Sequence, residues 1–311
     1  MLIVQKMISL FILMGIGFFC SRKKWMTQES SDFLSKIVIN FANPAVMIAA
    51  GLNSDTGLSL KTLEITVVAV IVFYAALLIT APVVTKLLHV SKEDEGSYKI
   101  MYIFGNIGFM GIPIARAAYG EDAVLLLTFF NLGYTILMYT YGIATFEHGR
   151  KGASSKTKGS WKNSVKQMIN AGTVGSLLAI ICFVTKVKLP DVIPDTLDMV
   201  GNLAAPLSMF VIGASLEKIP PKELISDRKL NWFILIRLVV VPVVGIFIAG
   251  LFIPDQLVYE VFYIVICVPI GSLTAMMANQ HGGNTALTSR GVALSTLLSV
   301  ITIPAIGMLM V

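Results

Sequence analysis

Charged residues are scarce in this chain of 311 residues: Asp, Glu, Lys and Arg together make up 14% of it, whereas hydrophobic residues make up 56%. An ordinary soluble domain carries about 25% charged residues. The mean hydropathy is +0.80, and apolar runs recur along the whole chain, so no stretch is left for a separate soluble domain. The composition therefore excludes a soluble globular protein and indicates a membrane protein.

Residues that form catalytic or metal sites are also few. The three cysteines, Cys20, Cys182 and Cys267, lie in apolar runs or at their ends, which indicates neither a disulfide framework nor a metal site. The sequence contains no phosphate-binding loop, nucleophile elbow or zinc motif, and the lone His281 at a turn is interpreted as structural. We therefore expect no enzyme activity, no cofactor and no metal.

Ten apolar runs are long enough to cross a bilayer, which takes roughly 20 helical residues. Backbone polar groups inside lipid must be satisfied internally, so the runs are predicted to be helices. The sequence thus predicts an all-α polytopic membrane protein with ten transmembrane helices. The runs are 2–20, 33–52, 63–88, 100–119, 123–145, 168–185, 197–216, 230–253, 258–280 and 287–310.

Basic residues are unevenly distributed between the two predicted sides of the membrane. Eighteen of the 24 Lys and Arg residues lie on one side, including Arg22, Lys23 and Lys24 directly after the first run. The positive-inside rule places that side in the cytoplasm, so both termini are predicted to lie outside the cell membrane. The first run is interpreted as a retained span instead of a cleaved signal peptide. The basic loops are interpreted as topology signals, with no nucleic-acid partner.

The chain also repeats a pattern at about half its length. A polar linker at 147–167 separates five runs from five, which divides the chain into repeats 1–146 and 168–311. Because each repeat has an odd number of spans, the second enters the membrane from the opposite side, and the two repeats are predicted to be inverted. The residues matched at one offset are Asn40 and Asn202, Pro44 and Pro206, Met47 and Met209, and Gly51 and Gly213.

Glycine and proline interrupt the fourth and ninth runs. A glycine costs a helix about 1 kcal/mol relative to alanine, and a proline removes a hydrogen bond, so a continuous helix is disfavoured in both. Interrupted segments at corresponding places in two halves indicate a transport site. The alternative is that these residues only allow kinks or close helix packing. They are Gly105, Gly108, Gly111 and Pro113 in the fourth run, and Pro269 and Gly271 in the ninth.

Three stretches resemble the auxin efflux carrier family of secondary transporters. Residues 105–113 (GNIGFMGIP) resemble its fourth-helix signature, and residues 170–178 (NAGTVGSLL) resemble the opening of its second repeat, with Ala171 where the family often has proline. Residues 269–304 resemble its last two helices. The resemblance implies two inverted five-helix repeats, broken fourth and ninth helices that cross, an elevator motion of a transport part against a scaffold part, and a homodimer. The family's known substrates are organic anions, among them indole acetate, malate and malonate.

The resemblance also implies which positions face the substrate. Amides and hydroxyls at such positions, with Thr274 beside them, are neutral donors that hold a carboxylate together with the positive end of a half-helix. For each Asn alone, the alternative is a hydrogen bond that stabilises helix packing. The implied positions are Asn43, Asn106, Asn170 and Ser272, and irregular backbone is expected from Pro44, Gly108, Gly111, Pro113, Pro206, Pro269 and Gly271.

Four charged residues are candidates for gating or coupling. Glu64, at the outer start of the third run, is the best carboxylate for coupling, with an interfacial charge as the alternative. Arg237 lies inside the eighth run, where we expect it to snorkel or to pair with a carboxylate such as Asp227 rather than to attract an anion. Arg116 and Arg290 follow the interrupted segments and are either gates for anions or interfacial anchors.

No Asp or Glu lies in the middle of any run, although cation-coupled carriers with crossed helices need buried carboxylates. Together with the resemblance, this absence predicts a secondary transporter or facilitator of small organic anions, such as mono- or dicarboxylates, in the cell membrane. A ligand sensor on a transporter fold and a sodium-coupled symporter of the bile-acid type are the alternatives. Proton coupling stays open, because the substrate itself can carry the proton. The sequence leaves open which acid is carried, in which direction, and in which oligomeric state.

Overall fold

The computed structural model describes residues 2–53, 58–148, 167–217 and 224–308, and these ranges contain helices and no β-strand. The predicted all-α class is therefore confirmed for this part of the chain. The helices are α1 Leu2–Arg22, α2 Gln28–Ile37, α3 Asn43–Asn53, α4 Leu60–Leu87, α5 Glu95–Ile103, α6 Ile112–Leu137, α7 Ile143–His148, α8 Ala171–Thr185, α9 Val192–Gly201, α10 Ala204–Glu217, α11 Arg228–Leu235, α12 Val241–Phe252, α13 Gln256–Cys267, α14 Ser272–His281 and α15 Thr285–Gly307.

Wider π-helical turns join several of these helices into longer stretches. Within the described ranges, six helical stretches are long and apolar enough to cross a membrane, so the protein is a multi-pass membrane protein. Ten spans, their inverted arrangement and the side of the termini stay predictions, and residues 149–166 of the predicted linker lie outside the described ranges. The π-helical turns are Val38–Ala42, Ile107–Gly111, Met138–Gly142 and Ile236–Val240. The six stretches are Gln28–Asn53, Leu60–Leu87, Ile107–Phe146, Val192–Glu217, Arg228–Phe252 and Thr285–Gly307.

Local signals explain where the membrane helices begin and bend. The Asp227 carboxylate accepts hydrogen bonds from two backbone N–H groups at the start of α11, and Asp255 does the same at the start of α13. Such caps satisfy N–H groups that have no partner inside the helix. Within α6, Gly120 has φ +80°, a conformation that glycine adopts without steric cost, so the chain turns there between the predicted fourth and fifth runs.

The helices pack as two groups. The first group contains α1, α2, α3, α8, α9 and α10, and the second contains α4 to α7 and α11 to α15, with α6 providing much of the contact between them. Glycines matched in the sequence repeat allow the closest approaches: a Cβ on Gly51 would collide with the backbone of Ala179 in α8, and one on Gly213 with that of Met14 in α1. Each therefore packs against the first helix of the other half.

Candidate functional site

The two interrupted runs meet in space. Helix α5 ends at Ile103 and α13 ends at Cys267, and an extended segment follows each. The backbone N–H of Asn106 donates to the carbonyl oxygen of Pro269 at 2.7 Å, and the N–H of Gly271 donates to that of Phe104 at 2.9 Å. Both predicted interruptions are therefore present, and they form a short antiparallel pair. We call residues 104–106 and 268–271 the paired interruption.

Proline and glycine account for this local geometry. The residue before a proline is driven to extended backbone, and Val268 has φ −59° and ψ 144°, which ends α13. A Cβ on Gly271 would lie 2.9 Å from the carbonyl oxygen of Gly105 and 3.2 Å from the Tyr134 hydroxyl. The two segments can approach this closely only because glycine has no side chain.

Asn43 and Asn106 bind the same peptide group from opposite ends. Asn43 Nδ2 donates to the Gly108 carbonyl oxygen at 3.0 Å, and the Phe109 N–H donates to Asn106 Oδ1 at 3.3 Å. These bonds define the orientation of both amides, since the reversed amides would face donor to donor or acceptor to acceptor. Asn43 Oδ1, an acceptor, and Asn106 Nδ2, a donor, are left buried with no hydrogen-bond partner among the described residues.

Hydroxyl groups differ in how they are used around this point. Ser208 Oγ on α10 is buried with no partner within the described ranges, and α10 packs against the π-helical turn Ile107–Gly111. Thr274 Oγ1 donates to the Gly271 carbonyl oxygen at 2.7 Å, so it stabilises the first turn of α14. Ser272 is the first residue of α14 and is exposed. Of these three hydroxyl groups, that of Ser208 is buried and has no hydrogen-bond partner among the described residues.

Asn170 has a local structural role. Its Oδ1 accepts from the Thr173 N–H at 3.1 Å and its Nδ2 donates to the Gln167 carbonyl oxygen at 3.2 Å, which caps α8. Both ends of this amide are thus occupied in the present conformation, and a contact with substrate stays a prediction.

The predicted backbone positions lie at helix starts and at the paired interruption. Pro44 is buried in the first turn of α3 against Gly175 of α8, and Pro206 is half-buried in the first turn of α10. Gly111 ends the π-helical turn that contains Gly108, and Pro113 lies in the first turn of α6. Pro44 and Pro113 each lie two residues after a π-helical turn, so the residue without a backbone N–H falls where the regular α-helical hydrogen-bond pattern is already interrupted.

Arg237 is buried, with 1% of its surface exposed. Its Nε donates to the Tyr102 carbonyl oxygen and its Nη1 to the Ile266 carbonyl oxygen, both at 2.9 Å. The expectation that it snorkels or pairs with Asp227 is wrong, because that carboxylate caps α11. The side chain instead extends from the π-helical turn Ile236–Val240 into the protein, where two helix ends offer it carbonyl oxygens.

The other charged candidates lie closer to the surface. Arg116 on α6 donates through Nε to Glu121 at 2.7 Å and through Nη2 to Asp198 of α9 at 3.2 Å, so it links the two helix groups. Glu64 is exposed on α4. Arg290 is half-buried, and its Nε donates to a carbonyl of its own helix at 3.4 Å. Arg116 is thus held by two carboxylates in this conformation.

Two grooves of the described part lie elsewhere. One of about 470 Å³ is lined by Trp232, Leu238 and Leu298, and one of about 410 Å³ by Lys92, Lys99 and Tyr141. Asn43 and Asn106 line neither of them. The first groove is also lined by two residues with unpaired buried oxygens, Asn231 Oδ1 and Thr302 Oγ1. We place the candidate site at the paired interruption because Asn43 and Asn106 hold one peptide group beside the interrupted helices, and each keeps an unpaired buried polar atom there.

Comparison with known proteins identifies the family to which the chain is similar. A sequence model of the membrane transport protein family matches residues 2–306. The chain is 25% identical over 309 residues to an uncharacterized transporter of Methanocaldococcus jannaschii, covering 95% of each chain. It is 21% identical to an uncharacterized transporter of Methanothermobacter thermautotrophicus over 96% of each chain. It is 18% identical to the uncharacterized transporter YfdV of Escherichia coli K12 over 68% of each.

Proposed function

The chain belongs to the membrane transport protein family, the auxin efflux carrier family, whose members are membrane transporters, and on that premise we propose that it carries small organic acids. The proposed substrate site lies at the paired interruption and includes the side chains of Asn43 and Asn106. The observation that carries the proposal is the pair of buried, unpaired atoms that these amides present: one acceptor, Asn43 Oδ1, and one donor, Asn106 Nδ2.

Leaving a buried polar atom unpaired costs about 1–3 kcal/mol, so these two atoms favour a ligand that satisfies both. A carboxylate oxygen accepts from Asn106 Nδ2. A hydroxyl or a protonated carboxyl group donates to Asn43 Oδ1. One donor and one acceptor in the site therefore favour hydroxy acids and dicarboxylic acids that keep one proton. Such a substrate can itself carry the proton in a proton-coupled transport cycle.

The proposed cycle is of the elevator type. Asn43 belongs to the first helix group, while Asn106 precedes the turn that leads into α6 of the second group. Both amides are at most 5% exposed, so a substrate reaches them only after the groups move apart. That movement breaks the Asn43–Gly108 hydrogen bond and the Arg116–Asp198 ion pair, both of which are weak enough for a reversible step.

Uptake by proteoliposomes tests this function. Purified protein is first screened by thermal shift against malate, malonate, lactate, citrate and aromatic acids, and the acid with the largest stabilisation is then used radiolabelled. We expect accumulation that Asn106→Ala lowers and Asn40→Ala leaves unchanged, because the Asn40 side chain is exposed and bonds only its own helix. Binding without accumulation under any pH gradient would instead identify a ligand sensor. Uptake unaffected by Asn106→Ala would refute this site.

A further inference from the structure

We propose that Arg237 is the resident cation of the paired interruption, so that transport needs no alkali cation bound there. The guanidinium takes the position, between two carbonyl oxygens at the ends of two broken helices, that a coupling cation would require. This assignment goes beyond the proposed function, because it concerns how the site is held together and which ion the cycle can do without.

Arg237 binds two carbonyl oxygens whose usual helical donors, the N–H groups four residues later, form hydrogen bonds elsewhere. In an α-helix the carbonyl of residue i accepts from the N–H of residue i+4. For Tyr102 that donor is Asn106, whose N–H bonds Pro269 instead. For Ile266 the donor is Ile270, whose N–H bonds Ser295 Oγ at 3.1 Å. Each carbonyl lies one residue before the end of its helix, and Arg237 satisfies both.

The charge of the guanidinium matches the charge of the two helix ends. Each helix C-terminus carries about half a negative charge. Two converging ends therefore carry about one negative charge together, which one cation balances. Carbonyl oxygens at such ends are also the groups that replace the hydration shell of alkali cations in membrane proteins. The ion pairs within the described ranges do not include Arg237, so the helix ends provide the compensation that allows a charge to be buried there.

The arginine also positions the substrate site. A Cβ on Gly105 would lie 3.3 Å from Arg237 Nη2, so the guanidinium rests against the residue next to Asn106. By holding the ends of α5 and α13 together, it sets the register in which the Asn106 and Gly271 N–H groups cross between the two segments. Arg237 is therefore a positioning residue that acts through the backbone.

Chemical rescue in the purified full-length protein tests the proposal. Arg237→Ala leaves two buried carbonyls unpaired and should lower the thermal unfolding temperature by several degrees. Guanidinium ions at millimolar concentration should restore much of this loss, whereas urea, which is planar, similar in size and uncharged, should not. Arg228→Ala is the matched control, because Arg228 is exposed and begins the same stretch; guanidinium should leave its unfolding temperature unchanged.

Two further measurements keep the proposal testable if Arg237→Ala does not fold. Arg237→Lys keeps the charge and Arg237→Gln keeps only neutral donors, so the Lys variant should be the more stable; equal stability would overturn the role of charge. In proteoliposomes, replacing Na⁺ and K⁺ by choline should leave uptake by the wild-type protein unchanged, and a requirement for either ion would overturn it. Rescue by urea would also do so. The unfolding measurements need no substrate, so their outcome is independent of the proposed function.

Discussion

Asn43 and Asn106 hold the carbonyl and the N–H of one peptide group, that between Gly108 and Phe109. Because Asn43 lies on α3 and Asn106 lies in the paired interruption, this peptide group is the bridge between the two helix groups at the candidate site. One polar atom of each amide bonds this peptide group, and the other has no hydrogen-bond partner among the described residues. In this conformation the bridge therefore determines which polar atom of each amide is left without a partner.

Asn106→Asp should separate substrate binding from helix capping. The Asp carboxylate still accepts from the Phe109 N–H, but the free donor is lost and a negative charge is added. A hydrogen bond to a charged partner contributes about 1.5–3 kcal/mol, so the affinity for an organic anion should fall by at least tenfold. The unfolding temperature should fall as well, because the added carboxylate is buried at a position that is 4% exposed. Isothermal titration with the acid selected by the thermal-shift screen measures the first quantity, and circular dichroism the second. Retained affinity in this variant would argue against Asn106 as the donor.

Asn43 and Asn106 should be energetically coupled. Residues that share a partner show coupling energies of about 0.5–3 kcal/mol in double-mutant cycles, and here the shared partner is one peptide group. The effects of Asn43→Ala and Asn106→Ala on the free energy of unfolding should therefore not add. The same cycle between Asn40→Ala and Asn106→Ala serves as the control and should be additive. Additivity in both cycles would mean that the bridge carries no energy.

Gly271→Ala should weaken the paired interruption. The new Cβ would lie 2.9 Å from a carbonyl oxygen, closer than van der Waals contact allows, so the two segments must separate at a cost of about 1–3 kcal/mol. We expect a lower unfolding temperature and slower uptake. Gly15→Ala is the matched control, because a Cβ at that exposed position of α1 meets no atom within 4 Å. An unchanged unfolding temperature in Gly271→Ala would contradict the close approach.

Asp198→Asn should make the movement of the two helix groups easier. It removes one ion pair of Arg116 across the groups, and a partly exposed pair of this kind is worth up to about 1 kcal/mol. If separation of the groups limits the rate, uptake should rise about two- to fivefold at low ionic strength. The difference from the wild-type protein should shrink at high salt, which screens exposed charges. A rate that falls equally at both ionic strengths would count against the ion pair as a latch.

Much of the fold is visible in the sequence because its signals are local. Apolar runs predict membrane helices, since lipid leaves the backbone no other partner than itself. Proline and glycine predict where helices break, and the breaks occur at 104–106 and 268–271. Gly51 and Gly213, which match at the offset of the sequence repeat, are both sites of close packing.

The candidate site was only partly predictable. The resemblance to the family implies Asn43 and Asn106, but the peptide group that joins them is visible only in three dimensions. Asn170 has the same residue type and a similar setting, yet its amide is used to cap α8. Ser295, which accepts the Ile270 N–H, carries no signal in the sequence that distinguishes it from other serines in apolar helices.

By itself the sequence determined that this is a helical membrane protein of a transporter family and where its helices are interrupted, because hydropathy and backbone stereochemistry act over a few residues. The tertiary structure decided which carbonyls meet which donors. Arg237 shows the difference. The sequence places this arginine inside an apolar run, and from the run alone we expect its side chain to snorkel to the membrane surface or to pair with a carboxylate. Only the convergence of α5 and α13, distant in the chain, creates the two free carbonyls that keep it inside.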